Sequence, residues 1–498
     1  AREVEDEDRG RTLQTSCQHR ASMAPQHFLV VAFPGQGHIN PARALAERLA
    51  RTTPGARVTL SAAVSAHRLM FPSLESPDEE VHDGAISYIP YSDGYDHGFR
   101  LFAGDGDDAR RYNEAFARVG PETFSAVLDR LAARGRPVTC VVYALLMWWA
   151  AEVARERGLP RALYWNQPAT MLAVYYHYFH GYERTVTDHA GDPEFTVAMP
   201  GLPPMAIRDL PSFFTDLTDG RIVEAFGNIR STFQQLDLDV DHGSTGRRKP
   251  MVLVNTVEAL EAGAIASVPE LDVFPIGPAV LSLFEQDGDN AIVGDLFEHD
   301  GKGYMEWLDT KPARSVVYVS FGSMTASSKR QKEEMKRGLA ASGRSYLWVV
   351  RKDNRDDDED GDEDDERSMV VEWCDQVRVL SHPAVGCFVT HCGWNSTLES
   401  MACGAPVVAV PQWSDQDTNA RLVVEWGIGV RATIDADRFL DAEELTRCVE
   451  MVMGDTEEGA AIRRRSTACK AKVQEAITDG GSSENNLRTF QGHFANDV

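Results

Sequence analysis

The sequence predicts an α/β fold built from two doubly wound, Rossmann-like domains facing each other across a cleft. Three observations carry this. With 498 residues the chain is too long for one ordinary core, and domains of roughly 200 residues each are expected. Short apolar runs alternate with helical patterns in both halves, as in parallel sheets covered by helices. Several of those runs end in glycine-bearing loops that lead into helices, where open α/β sheets bind their ligands.

Residues 1–22 are polar, lack the apolar core of a secretory signal, and are set apart as a disordered or non-native extension, with Met23 as the natural start. The first domain is assigned to 23–278. It opens with an apolar strand at 27–33 (HFLVVAF), a glycine loop at 34–37, and a helix over 40–50. His38 therefore stands at the mouth of that helix, where a neutral imidazole suits a general base, although a structural helix-start histidine fits the local pattern too. The G-x-G fragment is short of the full dinucleotide fingerprint. Further strands are expected at 58–64, 86–89 and 138–143. The longest apolar run, 141–151, falls short of the ~20 residues a spanning helix needs and reads as a buried strand entering a helix. The loop 91–96 and the aromatic segment 164–182 suit either core or the wall of a pocket for a flat or apolar molecule. A strand at 252–255 and a Pro/Gly stretch at 275–278 close the domain.

The second domain is assigned to 279–475. A strand at 315–320 ends in Phe321-Gly322-Ser323, a helix covers 333–341, and the next strand is 346–350. An acidic insert, 353–367, holds ten Asp and Glu between Asp356 and Glu366 and reads as a solvated, disordered loop. The stretch 373–416 then contains two strand-loop-helix steps. One strand, 386–390, ends at His391-Cys392-Gly393 before a helix over 394–403 that Gly404 stops; the other, 405–410, ends in the polar loop 412–416. Residues 476–498 form a tail expected to pack back on the first domain.

A formal charge of -26 argues against a nucleic-acid surface. Eight cysteines without dense spacing point to reduced thiols and a cytoplasmic location. The D-x-D strings, Asp105-Gly106-Asp107 and triplets in the acidic insert, lie in loop-like, charge-biased settings and are read as solvent-facing, so no metal site is assigned.

The run 373–416, with its HCGWNS core at 391–396, resembles the plant secondary product glycosyltransferase box. GQGHINP around His38, PGLPP, NTVEALE, SFGS and GGSSENNL are also similar to plant UDP-dependent glycosyltransferases, so the resemblance covers nearly everything from Met23 onward. It leans toward the branch with hormone, crocetin and anthocyanin 5-O-glucosyltransferases. The resemblance implies the GT-B fold and inverting, metal-independent transfer of glucose from UDP-glucose to a small molecule, by a monomer with no cofactor beyond the donor substrate. Trp373 would stack on uracil, with Gln376 and Glu399 bonding the uridine. Ser323, His391, Asn395 and Ser396 would hold the diphosphate, the last two from a helix N-terminus. Trp394, Asp415 and Gln416 would contact the hexose, and His38 would take the acceptor proton.

One position departs from the family pattern. Ala144 stands where many members carry an Asp that orients and charges the catalytic His, and no acidic residue follows until Glu152. A base without that neighbour is less strongly assisted. An acceptor carboxylic acid, already ionised at pH 7, needs no base, so glucose esters are expected beside phenolic or alcoholic products. A nucleotide-sugar-binding protein with little transferase activity is the alternative that the same departure raises.

Overall fold

The computed structural model describes residues 26–53, 55–99, 106–216, 218–240, 249–280, 303–325, 327–355 and 366–494. The N-terminal extension, Asp105 and the acidic run 356–365 lie outside the described residues.

In the first half, β1 (His27–Val31), β2 (Arg57–Ser61), β3 (Val81–His82), β4 (Ser87–Tyr88), β5 (Cys140–Ala144) and β6 (Arg161–Trp165) share a sheet with two later strands. After a two-stranded antiparallel piece, β7 (Thr196–Val197) and β8 (Met205–Ala206), β9 (Met251–Val254) and β10 (Asp272–Pro275) complete it. The order is β10-β9-β6-β5-β1-β2-β4-β3, parallel except for the β3–β4 edge pair. The chain runs outward from β1 in one direction and returns at β5 beside it, which makes the β1/β5 boundary the topological switch point. In the second half, β11 (Val316–Ser320), β12 (Ser345–Val349), β13 (Ser368–Val371), β14 (Val385–Thr390), β15 (Val407–Ala409) and β16 (Gly429–Arg431) form an all-parallel sheet, ordered β13-β12-β11-β14-β15-β16. Its switch point is β11/β14. Strands buried on both faces read as continuous apolar runs, and β1, β5, β11 and β14 are buried along their full length.

Helix ends depend on local chemistry. The helix Trp394–Cys403 stops at Gly404, whose φ of 75° is the left-handed conformation that glycine adopts without a Cβ penalty. The first helix starts earlier than its apolar pattern suggests, at Gln36, so His38 belongs to its first turn. The last helix, Ser482–Gly492, lies against the first domain: Leu487, Phe490 and Phe494 join that domain's core, and Phe490 and Phe494 pack on Phe28.

The halves meet across several direct contacts. Ser212 and Ser414 bond reciprocally, Ser212 N–H to the Ser414 carbonyl (3.0 Å) and Ser414 N–H to Ser212 Oγ (2.7 Å). Asp209 of the first half accepts from Arg421 and Arg431 of the second.

Candidate functional site

The first wall of the cleft is built around an unfilled backbone carbonyl. In an α-helix the carbonyl of residue 37 accepts from the N–H of residue 41, but that residue is proline and has no N–H. Gly37 O is filled instead by two side-chain amides. Asn166, just past β6, donates from Nδ2 at 3.1 Å, and Asn395, across the cleft, donates at 2.9 Å. The same Asn166 Nδ2 lies 3.2 Å from His38 Nδ1. Asn166 is followed by the helix Ala169–His177, whose first-turn N–H groups at Ala169 and Thr170 donate to the buried Glu261 carboxylate. The His38 ring sits edge-on to Phe33, and burial lowers its pKa from 6.5 to about 4, so it is neutral throughout the physiological range. Ala144 is fully buried at the end of β5, and the polar group beside the imidazole is Asn166.

The facing wall stands at the β11/β14 switch. Ser323 follows β11 in a loop where Gly322 has φ 73°. His391 follows β14, and its ring lies in a niche bordered by two glycines. A Cβ on Gly322 would come within 2.8 Å of His391 Nε2, and one on Gly393 within 2.5 Å. Burial also lowers the His391 pKa to about 4, a hydrogen bond with the Ser320 backbone opposing the shift, so the ring acts as a neutral N–H donor rather than a cation. Gln376, at the start of the helix Gln376–Leu380, ties an expected diphosphate contact to an expected uridine contact: its Nε2 donates to Ser396 Oγ (2.9 Å) and Glu399 Oε2 (2.6 Å), while Tyr318 OH donates to its Oε1 (3.1 Å). Trp373 is half-buried on the segment leading into that helix.

Trp394 is placed by its side chain. Its indole is buried among Leu398, Met401 and Trp426, and Nε1–H donates to the Asn255 carbonyl of the first half at 2.7 Å. The indole is a bolt between the halves, and only the backbone of this first helical turn is left to meet a hexose. Of the two readings of the aromatic segment, core holds for Tyr164, Trp165, Tyr175 and Tyr178, all at most 1% exposed.

Asp415 and Gln416 begin the helix after β15. Gln416 Oε1 accepts from the N–H groups of Gln412 and Trp413, which leaves its NH2 group for a ligand. Asp415 accepts from Asn419 Nδ2 (2.7 Å), which also donates to the Cys392 carbonyl behind the HCGWNS loop. Burial raises the Asp415 pKa from 3.8 to about 6. A carboxyl whose folded pKa lies above its unfolded one favours folding fully below pH 4 and loses that contribution as pH rises through 6. Asp415→Asn is therefore expected to stabilise the protein at pH 7.5, by up to about 3 kcal/mol, and not at pH 4, while weakening sugar binding. Urea unfolding at both pH values checks this; a variant no more stable than the wild type at pH 7.5 refutes it.

The structure thus joins Gln376, Ser396 and Glu399 in one hydrogen-bonded group, seats His391 beside Ser323's loop, and links Asn395 to the turn that carries His38. Asn166, Tyr318 and Asn419 were not among the expected site residues. Asn166 directly follows the carboxyl end of β6, and that location is the signal that finds it; Asn419 lies inside the helix Gln416–Glu425.

Residues 283–472 match the family model described as UDP-glucoronosyl and UDP-glucosyl transferase. The chain is 42% identical over 476 residues to crocetin glucosyltransferase, chloroplastic, of Gardenia jasminoides, covering 93% of this chain and 96% of that one. It is 41% identical over 480 residues to anthocyanidin 3-O-glucoside 5-O-glucosyltransferase 1 of Perilla frutescens, covering 94% and 98%. The crystal structure of Os79 from O. sativa in complex with UDP superposes with a TM-score of 0.77 at 30% identity, over 94% of this chain and all of that one.

Proposed function

Because the chain belongs to the UDP-glucoronosyl and UDP-glucosyl transferase family, with the GT-B fold of its plant members, we propose that its second half holds UDP-glucose and its first half a small organic acid. The protein is a UDP-glucosyltransferase that inverts the anomeric centre and acts on small-molecule acceptors. The observation that carries the assignment of halves is the bond from Asn395 to Gly37 O, which brings the N-terminus of the helix Trp394–Cys403 against the His38 turn. Diphosphate oxygens placed on Ser323, His391, Asn395 and Ser396 would meet a neutral N–H donor, hydroxyls, an amide and the positive end of a helix dipole. Those groups stabilise the charge that grows on the departing UDP, and we assign transfer to them without a metal. Trp373, Gln376 and Glu399 suit the uridine, and Asp415, Gln416 and the Trp394 backbone suit the glucose.

The acceptor classes supported by the relatives' names and by the resemblance are carotenoid-derived acids, plant hormones, phenolics and flavonoids. Among them acids are favoured because His38 is neutral, half-buried, and lacks an acidic neighbour at Ala144. Incubation with UDP-glucose and an acceptor panel, followed by hydroxylamine, tests this: acyl glucosides are cleaved and ethers survive. A product set that is wholly hydroxylamine-stable rules out the acid assignment. No helix among the described residues is long and apolar enough to cross a membrane. We place the protein in the cytoplasm as a monomer, on its seven free cysteines among the described residues and a net charge that keeps copies apart; the Gardenia relative is named as chloroplastic, and cell fractionation decides between the two.

A further inference from the structure

We propose that Asn166 is a positioning residue that holds the His38 imidazole with its proton on Nε2, so that the cleft is set for acceptors that arrive as anions and set against neutral hydroxyls. The proposal rests on the transferase reading above and deepens it.

The constraint on Asn166 originates at Pro41. Because residue 41 has no N–H, Gly37 O must draw a donor from elsewhere, and a carbonyl oxygen can only accept. The Asn166 atom at 3.1 Å from it is therefore the amide nitrogen. The reverse orientation would set two carbonyl oxygens face to face, with the Asn166 oxygen on a buried side chain. The nitrogen so fixed has two hydrogens; one goes to Gly37 O and the other points to His38 Nδ1 at 3.2 Å. Nδ1 is then an acceptor, and in a neutral ring the proton must sit on Nε2. The Asn166 carbonyl oxygen, the atom that could accept from an Nδ1–H, is buried without a partner.

This is the reverse of the arrangement an acidic neighbour produces. A carboxylate accepts from Nδ1–H, leaves Nε2 with a free lone pair, and stabilises the imidazolium. Here Nε2 carries a proton before the acceptor arrives, and taking a second would place Nδ1–H against an N–H donor. Burial of the ring, which lowers its pKa to about 4, acts in the same direction.

The consequences for the two acceptor types differ. When a carboxylate oxygen attacks the anomeric carbon, its lone pair forms the new C–O bond, the bond from that carbon to the UDP oxygen breaks, and its electron pair leaves on the diphosphate. No proton moves. The Nε2–H of His38 is free to donate to the second carboxylate oxygen and orient it. A neutral hydroxyl attacking in the same way must release its proton, and His38 in this tautomer has no basic site facing it.

Two measurements test the proposal. In protein labelled with 15N-histidine, with His38 assigned by His38→Gln, the free enzyme at pH 7 should show a protonated Nε2 and a bare Nδ1. In Asn166→Asp the proton should move to Nδ1. That readout needs no acceptor, so it stands or falls independently of the transferase reading. In kinetics, wild-type kcat/KM for phenols of graded acidity should follow the ionisation of each phenol. Asn166→Asp should raise transfer to an aliphatic alcohol relative to a carboxylic acid by about tenfold or more, a fraction of the roughly 10²–10⁴-fold that a full general base supplies. If Asn166→Asp fails to bind UDP by calorimetry, Asn166→Leu takes its place: without the amide donor, both tautomers should appear and the alcohol-to-acid ratio should rise by a smaller factor. A wild-type ring protonated on Nδ1, or an alcohol-to-acid ratio unchanged in the folded variant, overturns the proposal.

Discussion

Gly393→Ala is expected to lower kcat/KM for transfer by about two orders of magnitude or more, the loss seen when one donor to a developing negative charge is removed. The cause is steric and local. An added Cβ would stand 2.5 Å from His391 Nε2, closer than atoms can approach, and the Gly322 backbone borders the same ring edge. The ring cannot retreat toward Gly322, so it must rotate away from the place where it can donate to the diphosphate. Gly393 has φ −55°, which any residue adopts, so the backbone itself is not strained by the change. That separates this variant from Gly322→Ala, which adds a penalty at φ 73° to a similar clash. A double-mutant cycle identifies the cause. If the loss acts through the imidazole, Gly393→Ala should add little in a His391→Ala background, whereas damage to the helix N-terminus would add in full. A kcat/KM within threefold of wild type would show that the niche does not set the ring's position.

How much of this was legible in the sequence follows from which interactions are local. The strands β1, β5, β11 and β14 stand within a few residues of their apolar runs, because a strand covered on both faces must be apolar at every position. The helix Trp394–Cys403 agrees at both ends, because a loop glycine precedes it and a left-handed glycine stops it. Non-local pairings stayed hidden. Asn166 reaches His38 only because β6 lies beside β5, and β5 beside β1, which periodicity does not encode. The motif marks Trp394 as a hexose contact, but the direction of its indole depends on the Asn255 carbonyl far away in sequence. Between these cases lies Pro41. The missing N–H is written in the sequence, yet it frees the Gly37 carbonyl only once the helix is known to begin at Gln36 rather than at Asn40.

The same first helix supports the prediction with the largest effect on stability. Glu484→Ala is expected to destabilise the protein by about 3–5 kcal/mol, the range for removing one partner of a buried ion pair. Arg48 is 1% exposed and Glu484 4%, so neither charge has water to fall back on. Arg48 donates to Glu484 from Nε (3.1 Å) and Nη2 (2.9 Å), and its remaining nitrogen reaches the Ile276 carbonyl. Around them Ser483 bonds the Gly277 carbonyl and Gln491 bonds the Leu49 carbonyl, so the C-terminal helix is fastened to both the first helix and the end of β10. Truncating Glu484 takes the carboxylate away from a buried guanidinium. Replacing both partners, as Arg48→Met with Glu484→Leu, removes the charge as well as its partner and should cost much less than Glu484→Ala alone. Denaturant unfolding of the three variants decides: equal losses in the single and double variants would show that packing, not the unpaired charge, sets the cost. Catalysis should follow stability, because the helix that Arg48 anchors at one end carries His38 in its first turn at the other. In Glu484→Ala that turn loses its fixed distance from Asn166 and Asn395, so kcat should fall while UDP affinity, set by the second half, changes little.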